Sequence, residues 1–193
     1  MTDETRSILL VGVGGQGTIL ASKVLSEGLV RAGYDVKMSE IHGMSQRGGS
    51  VSTHVRFGKK VYSPTISEGE ADILVSFEKV EAVRWLVYLK RGGILVVNDH
   101  EIRPLSVLTG ASSYPDRISE QLGEAVPNFF QLNAGDISAG LGSVKAQNIV
   151  LLGALVRCMN LDDADWKSMI EDTVPKKMYE LNARAFDAGR SGW

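Results

Sequence analysis

The first apolar block, Ile8 to Val11, runs straight into Gly12-Val13-Gly14-Gly15-Gln16-Gly17, the pattern of a buried strand entering a tight glycine turn. From Ala21 onward, Val24, Leu25, Gly28, Leu29 and Ala32 recur at helical spacing while Ser22, Lys23, Ser26, Glu27 and Arg31 fill the other face, which predicts a helix closed by Gly33. Asp35 to Ile41 reads as a second strand, opening into a polar loop, His42-Gly43-Met44-Ser45-Gln46-Arg47-Gly48-Gly49. Beyond it Val51, Thr53, Val55 and Phe57 alternate with Ser52, His54 and Arg56. With Gly58-Lys59-Lys60 as the turn and Val61-Tyr62 returning, that stretch predicts a hairpin and an antiparallel part of the sheet.

Ile73 to Phe77 and Ile94 to Asn98 are two further core strands. Between them a helix of about 12 residues carries Val80, Val83, Trp85, Leu86 and Leu89 and stops at Gly92-Gly93, completing a βαβ unit. Residues 99 to 127, with Pro104, Pro115 and Pro127, read as irregular apart from a helical stretch around Ile118 and Leu122, and a strand follows from Asn128 to Leu132. Lys145 to Met159 is apolar nearly all round, which predicts burial in the core or against another subunit. Asp162 is placed to cap a helix with Trp166, Met169 and Ile170 inward, ending before Pro175, and a last helix runs from Lys177 to Ala188 with Met178, Leu181 and Phe186. Strands alternating with helices make the class α/β.

A length of 193 residues with 44% hydrophobic and 23% charged content suits one globular domain over residues 1–193. The formal charge of -2 supplies no global basic field, so neither nucleic acid nor an anionic membrane surface is the expected partner. The longest apolar stretch, Ile149 to Val156, is far short of the roughly 20 residues that span a bilayer, and the N-terminus is polar, so the cytoplasm is the expected location. A single cysteine, Cys158, makes no internal disulfide and cannot alone hold an iron–sulfur cluster, so any clusters belong to another chain.

Gly12, Gly14 and Gly17 satisfy G-x-G-x-x-G between a strand and a helix. Three readings stand side by side: a close-packed structural turn, an anion site at a helix N-terminus, and a dinucleotide site in which Glu40 would bind a ribose. The second strand leads into a glycine loop and not into another crossover helix, which weighs against the dinucleotide. Gly15-Gln16 sets a polar amide where the turn faces solvent or a partner. In the following loop, Arg47 beside Gly48-Gly49 could clamp a phosphate or carboxylate bidentately while the glycines let the backbone approach closely, with Ser45 and Gln46 adding neutral donors. Ser143 could cap the apolar helix and bring Lys145, Gln147 and Asn148 to its first turn.

Catalytic residues are harder to find. His42, His54 and His100 are scattered, with no H-E-x-x-H spacing to suggest a metal site, and no G-x-S-x-G or G-x-x-x-x-G-K-[ST] motif occurs. Cys158 sits in the apolar helix and reads as an inert buried thiol. Asp99 and Glu101 stand near a strand end where α/β folds place sites, or they form a turn. No set of residues makes a self-sufficient active site.

Three blocks together, Gly12 to Gly17, Glu40-Ile41-His42-Gly43-Met44-Ser45-Gln46-Arg47-Gly48-Gly49-Ser50-Val51, and Gly142-Ser143-Val144-Lys145-Ala146-Gln147-Asn148, resemble the gamma-type domain of 2-oxoacid:ferredoxin oxidoreductases, in particular the indolepyruvate branch. The resemblance runs over nearly the whole chain, is weakest between residues 99 and 127, and rests most on G-M-S-Q-R-G-G. It implies a three-layer α/β/α domain with a mixed, mostly parallel sheet. It also implies a larger alpha subunit carrying thiamine diphosphate and iron–sulfur (4Fe-4S) clusters. The implied reaction is oxidative decarboxylation of an aryl pyruvate with coenzyme A to acyl-CoA, carbon dioxide and reduced ferredoxin. The chain lacks a G-D-G followed by N-N, the usual thiamine diphosphate signature. On this reading the chain positions an anionic group of substrate or coenzyme A through Gly12, Gly14, Gly15, Gln16, Gly17, Ser45, Gln46, Arg47, Gly48, Lys145 and Asn148, and holds no redox cofactor. A free-standing NAD(P)- or flavin-binding enzyme and a non-enzymatic assembly module are the alternatives.

Overall fold

The computed structural model describes residues 4–43, 48–161 and 164–191. Its centre is β1 (Arg6–Val13), buried from Ser7 to Val13 because both faces of the sheet are covered there. Around it stand β2 (Asp35–His42), β3 (Ser50–Gly58), β4 (Ala71–Ser76), β5 (Leu89–Asn98) and β6 (Phe129–Leu132), in the order β2-β3-β1-β4-β5-β6. β3 runs antiparallel to both neighbours, while β1, β4, β5 and β6 are mutually parallel. The sheet is therefore mixed and mostly parallel, as expected.

The helices are α1 (Thr18–Arg31), α2 (Lys79–Trp85), α3 (Leu105–Leu108), α4 (Ile118–Ala125), α5 (Ala134–Gly140), α6 (Gln147–Met159), α7 (Trp166–Thr173) and α8 (Tyr179–Ser191). On one face of the sheet Leu10, Val55 and Val75 pack with residues of α1, α6, α7 and α8 such as Leu25, Leu151, Trp166 and Phe186. On the other Leu9, Val11 and Leu95 meet Ala82 of α2 and Ile118 and Leu122 of α4. Those two cores make the three layers. The apolar α6 belongs to this chain's own core, with Ile149 to Val156 all buried. It touches α8 backbone to backbone: a Cβ on Gly153 would fall 2.2 Å from the carbonyl oxygen of Phe186, and one on Gly189 would fall 1.9 Å from that of Val150.

Several local expectations are corrected. The antiparallel strand is as predicted, but β3 pairs with β2 before it and not with Val61-Tyr62, which form no strand; the loop of the hairpin is the polar segment 43–49. The alternation of β3 does not separate a wet face from a dry one, since Ser52 and His54 are as buried as Thr53 and Val55 in a strand with neighbours on both sides. The helix after β4 has seven residues, because the chain turns at Leu86–Tyr88 and is already strand at Leu89. Gly92-Gly93 thus stops no helix. It lies in an irregularity where β5 advances from Leu89 to Ile94 while β4 advances only from Ala71 to Ile73, and Gly92 takes φ 77 there. Ser22, assigned to the polar face of α1, is buried and its hydroxyl donates to the carbonyl of Ile19. The cap of α7 is Asp165, whose side chain accepts from Ser168 N–H, while Asp162 lies outside the described residues. Among the described residues no helix is long and apolar enough to cross a membrane.

Candidate functional site

At the carboxyl end of β1 a cleft of about 620 Å³ lies between the glycine turn and the ends of β2 and β3. Gly14, Gly15, Gly17, Thr18 and Ile19 form one wall, and Glu40, Ile41, His42, Val51, Ser52 and Thr53 the other. The register pairs Glu40 with Thr53 and His42 with Val51, so these residues share the face on which Val55 and Phe57 lie beneath α1. Helix α1 opens on Gly17 with no side-chain cap and no acidic residue in its first turn. Its first N–H groups and the positive end of its dipole therefore address the cleft, the arrangement that receives phosphate or carboxylate.

The predicted site residues divide. Gly14, Gly15 and Gly17 line the cleft. Gly12 does not: a Cβ there would lie 2.8 Å from Oε1 of Gln16 and 2.9 Å from Cβ of Phe77, so its smallness serves packing. Gln16 is turned inward and not toward solvent or a partner. Its Oε1 accepts from Val13 N–H at 2.7 Å and its Nε2 donates to Phe77 O at 2.8 Å. Asn148, also buried, donates from Nδ2 to Gly17 O at 3.2 Å and accepts Ile149 N–H. Gly48 donates its N–H to Gly14 O at 3.3 Å, while Gly14 donates to Gly49 O at 2.9 Å, so the loop after β2 is stitched onto the glycine turn. Ser45, Gln46 and Arg47 lie outside the described residues, between Gly43 and Gly48. Ser143 caps the short 3-10 turn before α6 by accepting from Lys145 N–H. Lys145 is exposed and is not among the cleft's lining residues.

Sequence reasoning missed Thr18, Ile19, Thr53 and Asn98. Thr53 had a signal: it is the polar member of the otherwise apolar face Val51, Val55, Phe57. Asn98, at the end of β5, is fully buried; Nδ2 donates to Phe77 O at 3.2 Å and Oδ1 accepts Ala134 N–H at 2.9 Å.

Several other polar groups near the sheet make structural contacts. Asp99 and Glu101 both bind Lys79 Nζ, at 3.1 and 2.6 Å. Burial works against the charge on Lys79, yet the hydrogen bonds it donates to Glu101 and Asp99 outweigh it and raise its pKa. Glu78, buried, caps α2 and receives Ile102 N–H and the Tyr114 hydroxyl at 2.6 Å. His54 lies on the far face of β3, accepts Ile66 N–H at 3.2 Å, and has its pKa lowered by burial. Burial pushes the Cys158 thiol up to about 11, which makes it a poor nucleophile and a poor metal ligand.

The sequence matches the model of the pyruvate ferredoxin/flavodoxin oxidoreductase family over residues 7–192. The chain belongs to that family. Relatives include the indolepyruvate oxidoreductase subunit IorB of Thermococcus kodakarensis, 40% identical with 95% of this chain and 93% of that one covered, and its counterpart in Archaeoglobus fulgidus, 37% identical with 95% and 92% covered. Among solved structures, the pyruvate oxidoreductase subunit PORC of Thermotoga maritima has the same fold at 22% identity, with a TM-score of 0.72 over 97% of this chain and 96% of that one. The 2-oxoglutarate:ferredoxin oxidoreductase of Magnetococcus marinus, solved with 2-oxoglutarate, coenzyme A and succinyl-CoA bound, gives a TM-score of 0.74 at 21% identity. It covers 98% of this chain and 31% of that longer one. As a family member the chain is a subunit of a 2-oxoacid:ferredoxin oxidoreductase.

Proposed function

We propose that this chain is the small subunit of an indolepyruvate:ferredoxin oxidoreductase, and that its cleft receives an anionic group of coenzyme A or of the oxoacid. The observation that carries the reading is the uncapped start of α1 opening into the cleft beside the glycine turn, with no group of three or more potential metal ligands among the described residues. Such a site is suited to binding and positioning an anionic reactant. The likeness to the IorB subunits supports an aryl pyruvate as substrate.

An iron–sulfur cluster does not fit this chain's residues. One cysteine, half-buried in α6, cannot provide the thiolates of a cluster, and no group of three or more potential metal ligands lies among the described residues. We assign thiamine diphosphate and the iron–sulfur clusters to a larger alpha subunit, with ferredoxin as the acceptor of the complex and the cytoplasm as its location. Thiamine diphosphate supplies the thiazolium carbon at which 2-oxoacids are decarboxylated, and this chain raises the effective concentration of an anionic reactant beside it.

Glu40 in the cleft has the chemistry of a ribose-binding acid, but β3 separates its strand from β1, unlike the adjacent strands of a dinucleotide-binding half. The test is anaerobic co-expression with a candidate large subunit, followed by an assay of indolepyruvate- and coenzyme A-dependent viologen reduction. Co-purification with activity that vanishes when this chain is omitted is expected. A chain that stays alone and binds NAD or a flavin tightly would overturn the assignment.

A further inference from the structure

The β1–β4 ladder does not end where the strands diverge. Phe77 N–H donates to Val11 O at 2.8 Å, and beyond it the chain after β1 goes to α1 on one face while the chain after β4 goes to α2 on the other. Here doubly wound sheets open a crevice that commonly takes a ligand. In this protein a side chain occupies it. The Gln16 carboxamide accepts from Val13 N–H on the β1 side and donates to Phe77 O on the β4 side, as a peptide group would in one more rung.

The rung is continued. Phe77 O also accepts from Asn98 Nδ2, whose Oδ1 takes Ala134 N–H at the start of α5. From the other side Asn148, in the first turn of α6, donates to Gly17 O. All three amides are buried. They are also neutral, so they fix the turn at α1's N-terminus without placing a negative charge there to compete with an incoming anion.

We propose that Gln16 and Asn98 are positioning residues for the anion cleft: through the shared Phe77 carbonyl they hold the glycine turn in the conformation that directs α1's N–H groups at the ligand. This rests on the cleft binding an anionic reactant, as argued above. Neither residue reaches the reactant; each acts through the turn.

The test uses the complex with its large subunit. With Gln16→Leu or Asn98→Ala, the Michaelis constant for coenzyme A or for indolepyruvate should rise roughly tenfold while turnover at saturation stays within about twofold, since only binding geometry is lost. Gln16→Glu keeps an acceptor for Val13 N–H but sets a carboxylate against Phe77 O and near the helix start, so it should raise the constant further. Ile19→Glu is the separate control on the cleft: Ile19 is 55% exposed, so the variant folds, and it places a negative charge at the cleft wall. If Ile19→Glu leaves both constants unchanged, the anion cleft itself is wrong. If Ile19→Glu raises one and the Gln16 and Asn98 variants do not, or if they lower turnover with the constants unchanged, the positioning role is wrong. Thermal melting of each purified chain identifies a variant that loses its fold, and Gln16→Leu, which buries no charge, keeps the test decisive where Gln16→Glu unfolds.

Discussion

Gly17 and Asn148 meet at a distance that leaves no room for a methyl group: a Cβ on Gly17 would lie 2.7 Å from Nδ2 of Asn148, the atom that donates to Gly17's own carbonyl. Gly17 also sits at φ 82. Gly17→Ala therefore meets both a strained backbone and a buried side chain that cannot leave without breaking its hydrogen bond. A loss of about 2 kcal/mol or more is expected in denaturant unfolding, with weaker binding in the cleft because the start of α1 shifts. Unchanged stability would mean that Asn148 repacks freely.

The contact between α6 and α8 is more demanding. Gly153→Ala drives a methyl group into the Phe186 carbonyl, and Gly189→Ala does the same at Val150. No side chain can yield, because the obstacle is backbone, so the helices must separate. Each substitution should cost about 3 kcal/mol or more, seen as a large drop in melting temperature or loss of soluble protein. A melting point near the parent's would show that α8 slides without penalty.

Asp35 sets an acid limit on the sheet edge. Its carboxylate is hydrogen-bonded by Lys37 Nζ at 2.6 Å and Val61 N–H at 3.0 Å, with Lys60 Nζ at 3.4 Å, and these hold its pKa down to about 2. A depressed carboxylate adds stability above its unfolded pKa of 3.8 and loses it as pH falls through about 2. Asp35→Asn should flatten the stability profile between those values while changing little of its shape near neutrality. Equilibrium unfolding at stepped pH checks it, and parallel acid limbs for the two proteins would contradict it.

Arg47 is the charged residue of the loop stitched to Gly14. In the assembled enzyme Arg47→Ala should raise the requirement for coenzyme A or for the oxoacid without impairing assembly, since removal of one charge-assisted contact weakens binding. Steady-state kinetics decide it: unchanged constants for both reactants remove Arg47 from the site.

The strands were legible because Ile8 to Val11, Ile73 to Phe77 and Ile94 to Asn98 are continuous apolar runs, which a sheet covered on both faces requires. The rest was less so. In β3, alternation signalled an antiparallel strand but not its partner, which is β2 before it and not Val61-Tyr62 after it. Gly92-Gly93 looked like a helix stop because a glycine in a strand irregularity and one past a helix are locally alike. The site was half legible. The glycine turn announced an anion-receptive helix start, and Gly14, Gly15 and Gly17 do line the cleft. Nothing local shows which way an amide points, so Gln16 and Asn148 read as donors to a ligand whereas tertiary partners take both. Asn98 was invisible for the same reason, as its role depends on α5 and on a carbonyl from another strand.

The bond from Asn148 to Gly17 joins positions 131 residues apart. A chain emerging from the ribosome can thus complete β1, α1 and the β2–β3 hairpin long before α6 arrives to brace the turn. The residues that line the cleft are synthesised before the one that braces it, so shortened products ending ahead of residue 148 will carry every lining residue and still lack its support.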